Sequence, residues 1–207
     1  GQSPVLVHED EKAVAALRAE GIETSYPGEG LLAAPEAVLL LACLRLITAP
    51  EETLAKTELR ILADERPNVE SCLKDRLENP DRAWGSDHPW YRSLMEIREK
   101  AFSAGPETTL SLVLAELDLY NHVSKWGNGE QRRGNLDTFR RLCREYTGHC
   151  RTFHTAATLS GFIRRLREIA DAGDDTQAAV QSGNAVTVCT YHSAKGLEWP
   201  AVIAGSL

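Results

Sequence analysis

Between residues 190 and 198 the chain reads Thr-Tyr-His-Ser-Ala-Lys-Gly-Leu-Glu. Thr190, His192, Lys195, Gly196 and Glu198 thus gather a hydroxyl, an imidazole, an amine, a bare backbone position and a carboxylate within nine residues. An amine neutralises phosphate charge, a glycine lets a ligand approach the main chain, and a carboxylate accepts from a ribose hydroxyl. These residue types suit a nucleotide. They do not make a complete hydrolytic site, because no G-x-x-x-x-G-K-[ST] phosphate loop occurs anywhere in the sequence. No Ser/His/Asp or Cys/His nucleophile arrangement is readable either, so no catalytic residue is expected within the chain. The segment reads as half of a site.

The elements that must position it come from both ends of the chain. Pro4 to Val7 is a short apolar run, and Ala13, Val14 and Leu17 then recur at helical spacing up to Gly21, where a helix would stop. A second short strand and a loop with two glycines follow over residues 22–33. Ala34-Pro35-Glu36 opens a helix with proline at its first position. That helix is apolar almost all round from Val38 to Ile47, which predicts burial between layers. After Pro50 only helical periodicity is seen for about 120 residues. Its stripes are Leu54/Leu59/Leu62, Val69/Cys72/Leu73/Leu77, Trp90/Leu94/Ile97/Ala101, Leu110 to Val123, Leu136/Phe139/Leu142/Cys143 and Leu159/Phe162/Ile163/Leu166/Ile169. Residues 171–184 (DAGDDTQAAVQSGN) read as a polar linker, Val186 to Thr190 as a strand and Ala201 to Ala204 as another. The predicted fold class is therefore α/β with a large all-α insertion: residues 1–48 and 185–207 form one domain, and 49–184 a helical domain inserted into it. Ligands gather at the carboxyl ends of strands in such α/β domains, which is where Thr190 begins.

Composition bounds the function. Five scattered cysteines without a C-x-x-C pair fit reduced thiols and a cytoplasmic protein, and no apolar run reaches the roughly 18 residues of a membrane span. The formal net charge of −7 argues against a chain that coats nucleic acid generally, but nine arginines stand against four acids between residues 130 and 170. This local balance of +5 leaves −12 for the remainder. Arg164, Arg165 and Arg167 are the candidates for phosphate contact, and a solvated amphipathic face is the plain alternative. Cys143, His149, Cys150 and His154 match no zinc spacing, so no metal site is expected. Trp84, Trp90 and Trp126 suit packing better than base stacking.

The run T-x-H-x-A-K-G-L-E-W from Thr190 to Trp199, followed by an apolar strand, resembles motif V of the UvrD/Rep/RecB family of superfamily-one DNA helicases. The pattern "VLV…ALRAEGI…L…PE…LLL…LRLI" over residues 5–47 is similar to the opening of that family's second RecA-like (P-loop NTPase-type) domain, which a helical insert interrupts. "HSAKGLEW" and the spacing around Gly183 resemble the RecB or AddA-type branch. His8-Glu-Asp departs from the arginine-containing turn that many relatives carry after the first strand.

The resemblance implies roles. Glu198 would reach the ATP ribose, Lys195 and Gly196 would line the cleft between two motor domains, and Thr190 and His192 would face single-stranded DNA or couple it to the nucleotide. The insert would contact duplex DNA. ATP and Mg²⁺ would be bound mainly by residues outside this chain, in an N-terminal RecA-like domain of the same protein, with helicase-nuclease subunits as possible further partners and no membrane. On this reading the chain is a piece of a larger motor serving DNA repair or recombination, and the piece by itself hydrolyses no ATP. The rival expectation is a non-catalytic DNA- or protein-binding scaffold with a helicase-like fold.

Overall fold

The computed structural model describes residues 13–14, 16–17, 19–22, 24–25, 30–63, 70, 74, 77–78, 86–101, 103–175, 177–178, 186–188 and 200–204. The chain divides into two compact units, one of residues 1–28 with 181–207 and the other of residues 29–180.

In the first unit, helical backbone at residues 13–14, 16–17 and 19 ends at Gly21, whose φ is +74°. The Ile22 amide donates to the Leu17 carbonyl at 3.0 Å, the 6→1 closure of a helix that ends in a left-handed residue. Strand β1 (Thr24–Ser25) then pairs in parallel with β2 (Val186–Thr187), Thr24 opposite Val186. A parallel pair joins segments distant in sequence, here the two ends of the chain. Among the described residues this pair represents the expected α/β part. Ala201–Ala204, read as a strand from their apolar types, have no regular structure, and Val202 and Ile203 are exposed. A strand exists only through a ladder to a neighbour, which composition does not supply.

Among the described residues, the regular structure of the second unit is all helical. A 3₁₀ turn at Leu31–Ala33 leads into α1 (Pro35–Thr48), followed by α2 (Thr53–Leu62), α3 (Pro89–Ala101), α4 (Pro106–Glu116), α5 (Leu119–Ser124), α6 (Gly129–Thr152) and α7 (Leu159–Asp171). Ala37, Leu39, Leu40, Ala42, Cys43, Leu44 and Leu46 of α1 are fully buried, because α2, α3, α4, α6 and α7 all pack against it. The expected boundary after residue 48 thus differs from the observed one: α1 is the central rod of the helical unit. An apolar-all-round helix goes wherever most helices surround it.

Other differences have local causes. The stripe from Leu110 to Val123 is broken between α4 and α5 at Asp118, where φ is +46°, a conformation aspartate tolerates better than most residues. Leu54 is exposed while Ala55 and Leu59 are buried. Five positions separate Leu54 from Leu59, about 140° around a helix, so it was never on their face. Leu77 is likewise exposed, and Val69, Cys72 and Leu73 lie outside the described residues.

The segment read as a linker is held down at its start. Helix α7 ends in a full left-handed closure at Gly173 (φ +73°), with Gly173 N donating to Ala170 O and Asp174 N to Ile169 O. Asp175 then accepts from the Leu31 amide with its carbonyl and from the Leu32 amide with its carboxylate at 3.0 Å. A Cβ on Gly30 would lie 2.3 Å from that carboxylate, so a side chain there would push Asp175 off its donors. Two residues further, Asn135 of α6 takes up the backbone. Its Oδ1 accepts from Ala178 N at 2.8 Å and from Gln131 Nε2 at 3.1 Å, and its Nδ2 donates to Gln177 Oε1 at 3.1 Å and Glu36 Oε1 at 2.7 Å. Every donor and acceptor of this fully buried amide is used.

Candidate nucleic-acid interface

Thr190, His192, Lys195, Gly196 and Glu198 lie outside the described residues, as do Trp84, Cys72 and Cys189. The arginine-rich stretch is described throughout, and the fold sorts its nine members by burial. Arg132 is consumed by the core of the helical unit. Its guanidinium pairs with Glu36, a carboxylate only 2% exposed in the first turn of α1, and donates through Nε to the Gly127 carbonyl at 2.8 Å. It also lies over the Trp126 ring, 5.4 Å from the centroid. A buried carboxylate needs such a partner, and the N-terminal end of α1 adds its own positive field.

The remaining eight arginines are exposed. Helix α7 buries Phe162, Ile163 and Leu166, which leaves Arg164, Arg165 and Arg167 facing water. Arg164 and Arg165 both reach Glu168, at 3.5 and 3.4 Å, so one carboxylate offsets part of their charge. The helix is fixed at its start by Thr158, whose hydroxyl accepts from Gly161 N at 3.1 Å. A side chain at Gly161 would push aside the Tyr146 hydroxyl of α6, which accepts from the Thr158 amide at 3.3 Å.

Helix α6 buries Leu136, Phe139, Cys143 and Cys150 and turns the opposite side outward. Arg133, Arg140, Arg144 and Arg151 recur at intervals of seven, four and seven residues. That spacing keeps them in one line over about 27 Å of helix. None of the four makes an ion pair with a carboxylate among the described residues, and neither does Arg167; Arg141 is paired with Glu145 at 2.6 Å. Arg133 lies over the Tyr120 ring, 5.9 Å from its centroid. Burial holds the Tyr120 phenol above its ordinary range, helped by Asp137, which accepts from its hydroxyl at 2.6 Å, and opposed by the Arg140 charge. Asp137, which flanks the line, is therefore already bonded to a phenol. Sequence reasoning missed this line as a unit, although the seven-four-seven spacing is legible there once α6 is known to be one continuous helix.

Other candidate groups serve packing. Trp90 and Trp126 flank His122 in edge-on contacts with ring centroids 4.7 and 5.2 Å away, and His122 Nε2 lies 2.9 Å from the Leu62 carbonyl. Cys143 and Cys150 are buried while His149 and His154 are exposed, and no group of three metal-binding side chains gathers among the described residues. Burial, with the Glu107 charge, pushes the Cys143 thiol up to about 12. A shallow cleft of about 460 Å³ opens between the first turn of α4 and the last turns of α6, lined by Pro106, Glu107, Thr147 and Arg151. Glu107 already complements the helix dipole at the α4 side of this cleft, and Arg151 lines its α6 side. Among the described residues no helix is long and apolar enough to cross a membrane.

The chain is 27% identical over 172 residues to an ATP-dependent helicase/nuclease subunit of Thermoanaerobacter pseudethanolicus, covering 81% of this chain and 13% of that protein. A protein of the same name from Leuconostoc mesenteroides is 25% identical over 203 residues, 91% of this chain and 16% of its own length. Another, from Bacillus mycoides, is 28% identical over 138 residues, 67% of this chain and 10% of its own. The chain thus spans between a tenth and a sixth of these relatives, whose shared name agrees with the RecB or AddA-type resemblance of the Thr190–Trp199 run. The model of the UvrD-like helicase C-terminal domain matches residues 87–207, from just before α3 through the arginines of α6 and α7 to Glu198 and beyond. More than half of the sequence is covered, and the chain belongs to the UvrD-like helicase C-terminal domain family.

Proposed function

We propose that the chain is the second motor domain, with its helical insert, of an ATP-dependent DNA helicase that translocates on single-stranded DNA and unwinds duplex in repair or recombination. The observation that carries this reading is the family match, because it spans both the arginine-bearing helices and the Thr190–Glu198 run. The residues present fit a nucleotide by donor type: Lys195 offers charge to phosphate, Gly196 close approach and Glu198 an acceptor for ribose hydroxyls. ATP, held with Mg²⁺, would supply the free energy through its hydrolysis to ADP and phosphate. The phosphate loop is absent from this sequence, so the other half of the site belongs to a first RecA-like domain. Thr190 and His192 face the single strand and tie its movement to closure of the cleft. The helical unit holds duplex phosphates with Arg164, Arg165 and Arg167 of α7 and with the arginine line of α6.

The test is binding of forked DNA by the 207-residue chain across a salt series, with ATP turnover measured alongside. Tight, salt-dependent binding that weakens when Arg164, Arg165 and Arg167 become glutamine, without ATP turnover, is the expected result. Binding that is indifferent to all three changes and to salt would return the helical unit to a scaffold role, and turnover by the chain alone would overturn the division of the site.

A further inference from the structure

Helix α6 ends in an unusual surface. Phe153, its C-terminal capping residue, is 63% exposed, and its ring rests on the exposed His149 imidazole with centroids 4.5 Å apart. Arg151, the last arginine of the α6 line, stands between them in sequence and is exposed and without a carboxylate partner among the described residues. The chain leaves the helix through a left-handed closure, with Thr155 N donating to Cys150 O at 2.9 Å and His154 N to Arg151 O at 3.3 Å. In such closures the left-handed position is usually glycine, yet here it is His154, at φ +52°. A β-carbon in that conformation costs backbone energy that glycine avoids. The His154 side chain has no partner among the described residues that would repay the cost within the fold. Histidine enters this conformation more readily than most residues with a side chain, and the turn leaves its ring exposed beside Phe153 in sequence.

The surface therefore offers two rings in tilted contact, 42° between their planes, a third ring on a left-handed turn and a guanidinium without a carboxylate partner among the described residues, all within six residues at the end of a cationic line on an otherwise acidic chain. Positive charge that tracks a backbone, together with aromatic rings on which bases stack, is the chemistry of single-stranded nucleic-acid contact. We propose that the α6 tip is a stacking ledge for an unpaired nucleobase: Phe153, backed by His149, takes the base, Arg151 takes the adjoining phosphate, and His154 closes the ledge from the turn. The inference rests on the nucleic-acid reading above and deepens it, since it assigns unpaired DNA to one end of a surface otherwise given to phosphates.

The experiment uses the 207-residue chain and forked DNA with 2-aminopurine as the first unpaired base. Binding is read by anisotropy of a distal dye, and stacking by 2-aminopurine fluorescence. The expected result for Phe153→Ala is a loss of the fluorescence change and affinity weaker by about five- to a hundredfold, while Phe153→Tyr retains both. On DNA with an abasic site at that position the wild type and Phe153→Ala converge. Arg151→Gln makes the salt dependence shallower by about one in log–log slope. His154→Gly gives the sharpest contrast: it raises the melting temperature by removing the strain and weakens binding, which a purely structural residue would not do. Phe153→Ala that binds as tightly as wild type, while the α6 and α7 arginine variants lose affinity, would overturn the ledge and leave the phosphate reading standing; the tip would then be a protein contact. Absence of DNA binding by the wild type would remove both.

Discussion

Arg132 and Arg133 are neighbours in the sequence and opposites in the structure. One is paired with the buried Glu36, bonded to the Gly127 carbonyl and laid over Trp126; the other is exposed on the outer line of α6 with only the Tyr120 ring beside it. A turn of about 100° along one helix separates a residue of the core from a residue free to meet a phosphate. The difference shows that an arginine-rich stretch is not one feature. Its charge has to be counted after burial: none of the four arginines on the seven-four-seven line of α6 pairs with a carboxylate among the described residues, whereas Glu168 faces two of the three on α7.

The largest test of this contrast is Arg132→Ala. It leaves the Glu36 carboxylate buried beside Asn135 alone, and destabilisation of about 3 kcal/mol or more is expected in urea unfolding. Arg133→Ala should shift the same curve by less than about 0.5 kcal/mol. Equal losses would mean that the two arginines share one environment, and the sorting by burial would be wrong. Pairing Arg132→Met with Glu36→Gln should recover much of the stability, because the cost lies in the unpaired charge and not in the lost pair.

Next comes the clip on the return segment. Asn135→Ala leaves the Ala178 amide and one side of Glu36 without their bonds, and a loss of about 2 kcal/mol is expected. The same change should speed proteolytic cleavage between residues 171 and 184, which Arg133→Ala should not do. Unchanged cleavage would show that Asp175 and its bonds to Leu31 and Leu32 hold the segment without help.

The third test concerns the surfaces. Neutralising Arg133, Arg140 and Arg144 together should lower the log–log salt slope for DNA binding by about three. The α7 trio should lower it by less, since Glu168 already shares two of its charges. The reverse order would place the main contact on α7. The smallest effect is an alkaline one at Cys143. Its thiol is held at about 12 in the folded chain against 9.0 unfolded, chiefly by burial and then by Glu107. A raised value means that the folded state keeps a proton the unfolded state gives up. Stability from this group is fully present below about pH 9 and falls as pH rises from there toward 12, so Cys143→Ala should flatten that decline in a pH series of melting curves.

Much of the helical unit was legible because its signals are local. Pro35 after Ala34 opens α1, the apolar positions of α3, α6 and α7 recur at helical spacing, and Gly127 and Gly173 take positive φ close to helix ends. The break at Asp118 was less legible, since a run of leucines and valines carries the same periodicity on both sides of it. The polar run after Asp171 reads as a linker by composition, but its first residues are fastened by Asn135, 43 positions away from Ala178, and nothing in the run itself names that partner. The candidate interface divides in the same way. Arginine enrichment is visible in the sequence, as is the four-residue spacing of Arg141 to Glu145 and of Arg164 to Glu168; that Arg132 is spent on Glu36 is not.

Order along the chain was enough to establish the family, through the spacing of Thr190, His192, Lys195, Gly196 and Glu198, and the helical character of most described residues between 35 and 171. Both rest on chemistry at fixed offsets and on a period of about 3.6 residues. Packing in three dimensions made α1 the rod of the helical unit, drew Arg132 into the core, and left Arg133, Arg140, Arg144 and Arg151 as one open line ending at Phe153. Burial depends on which segments meet across distances no local pattern encodes, and only burial tells a charge that holds the fold from one left free to bind.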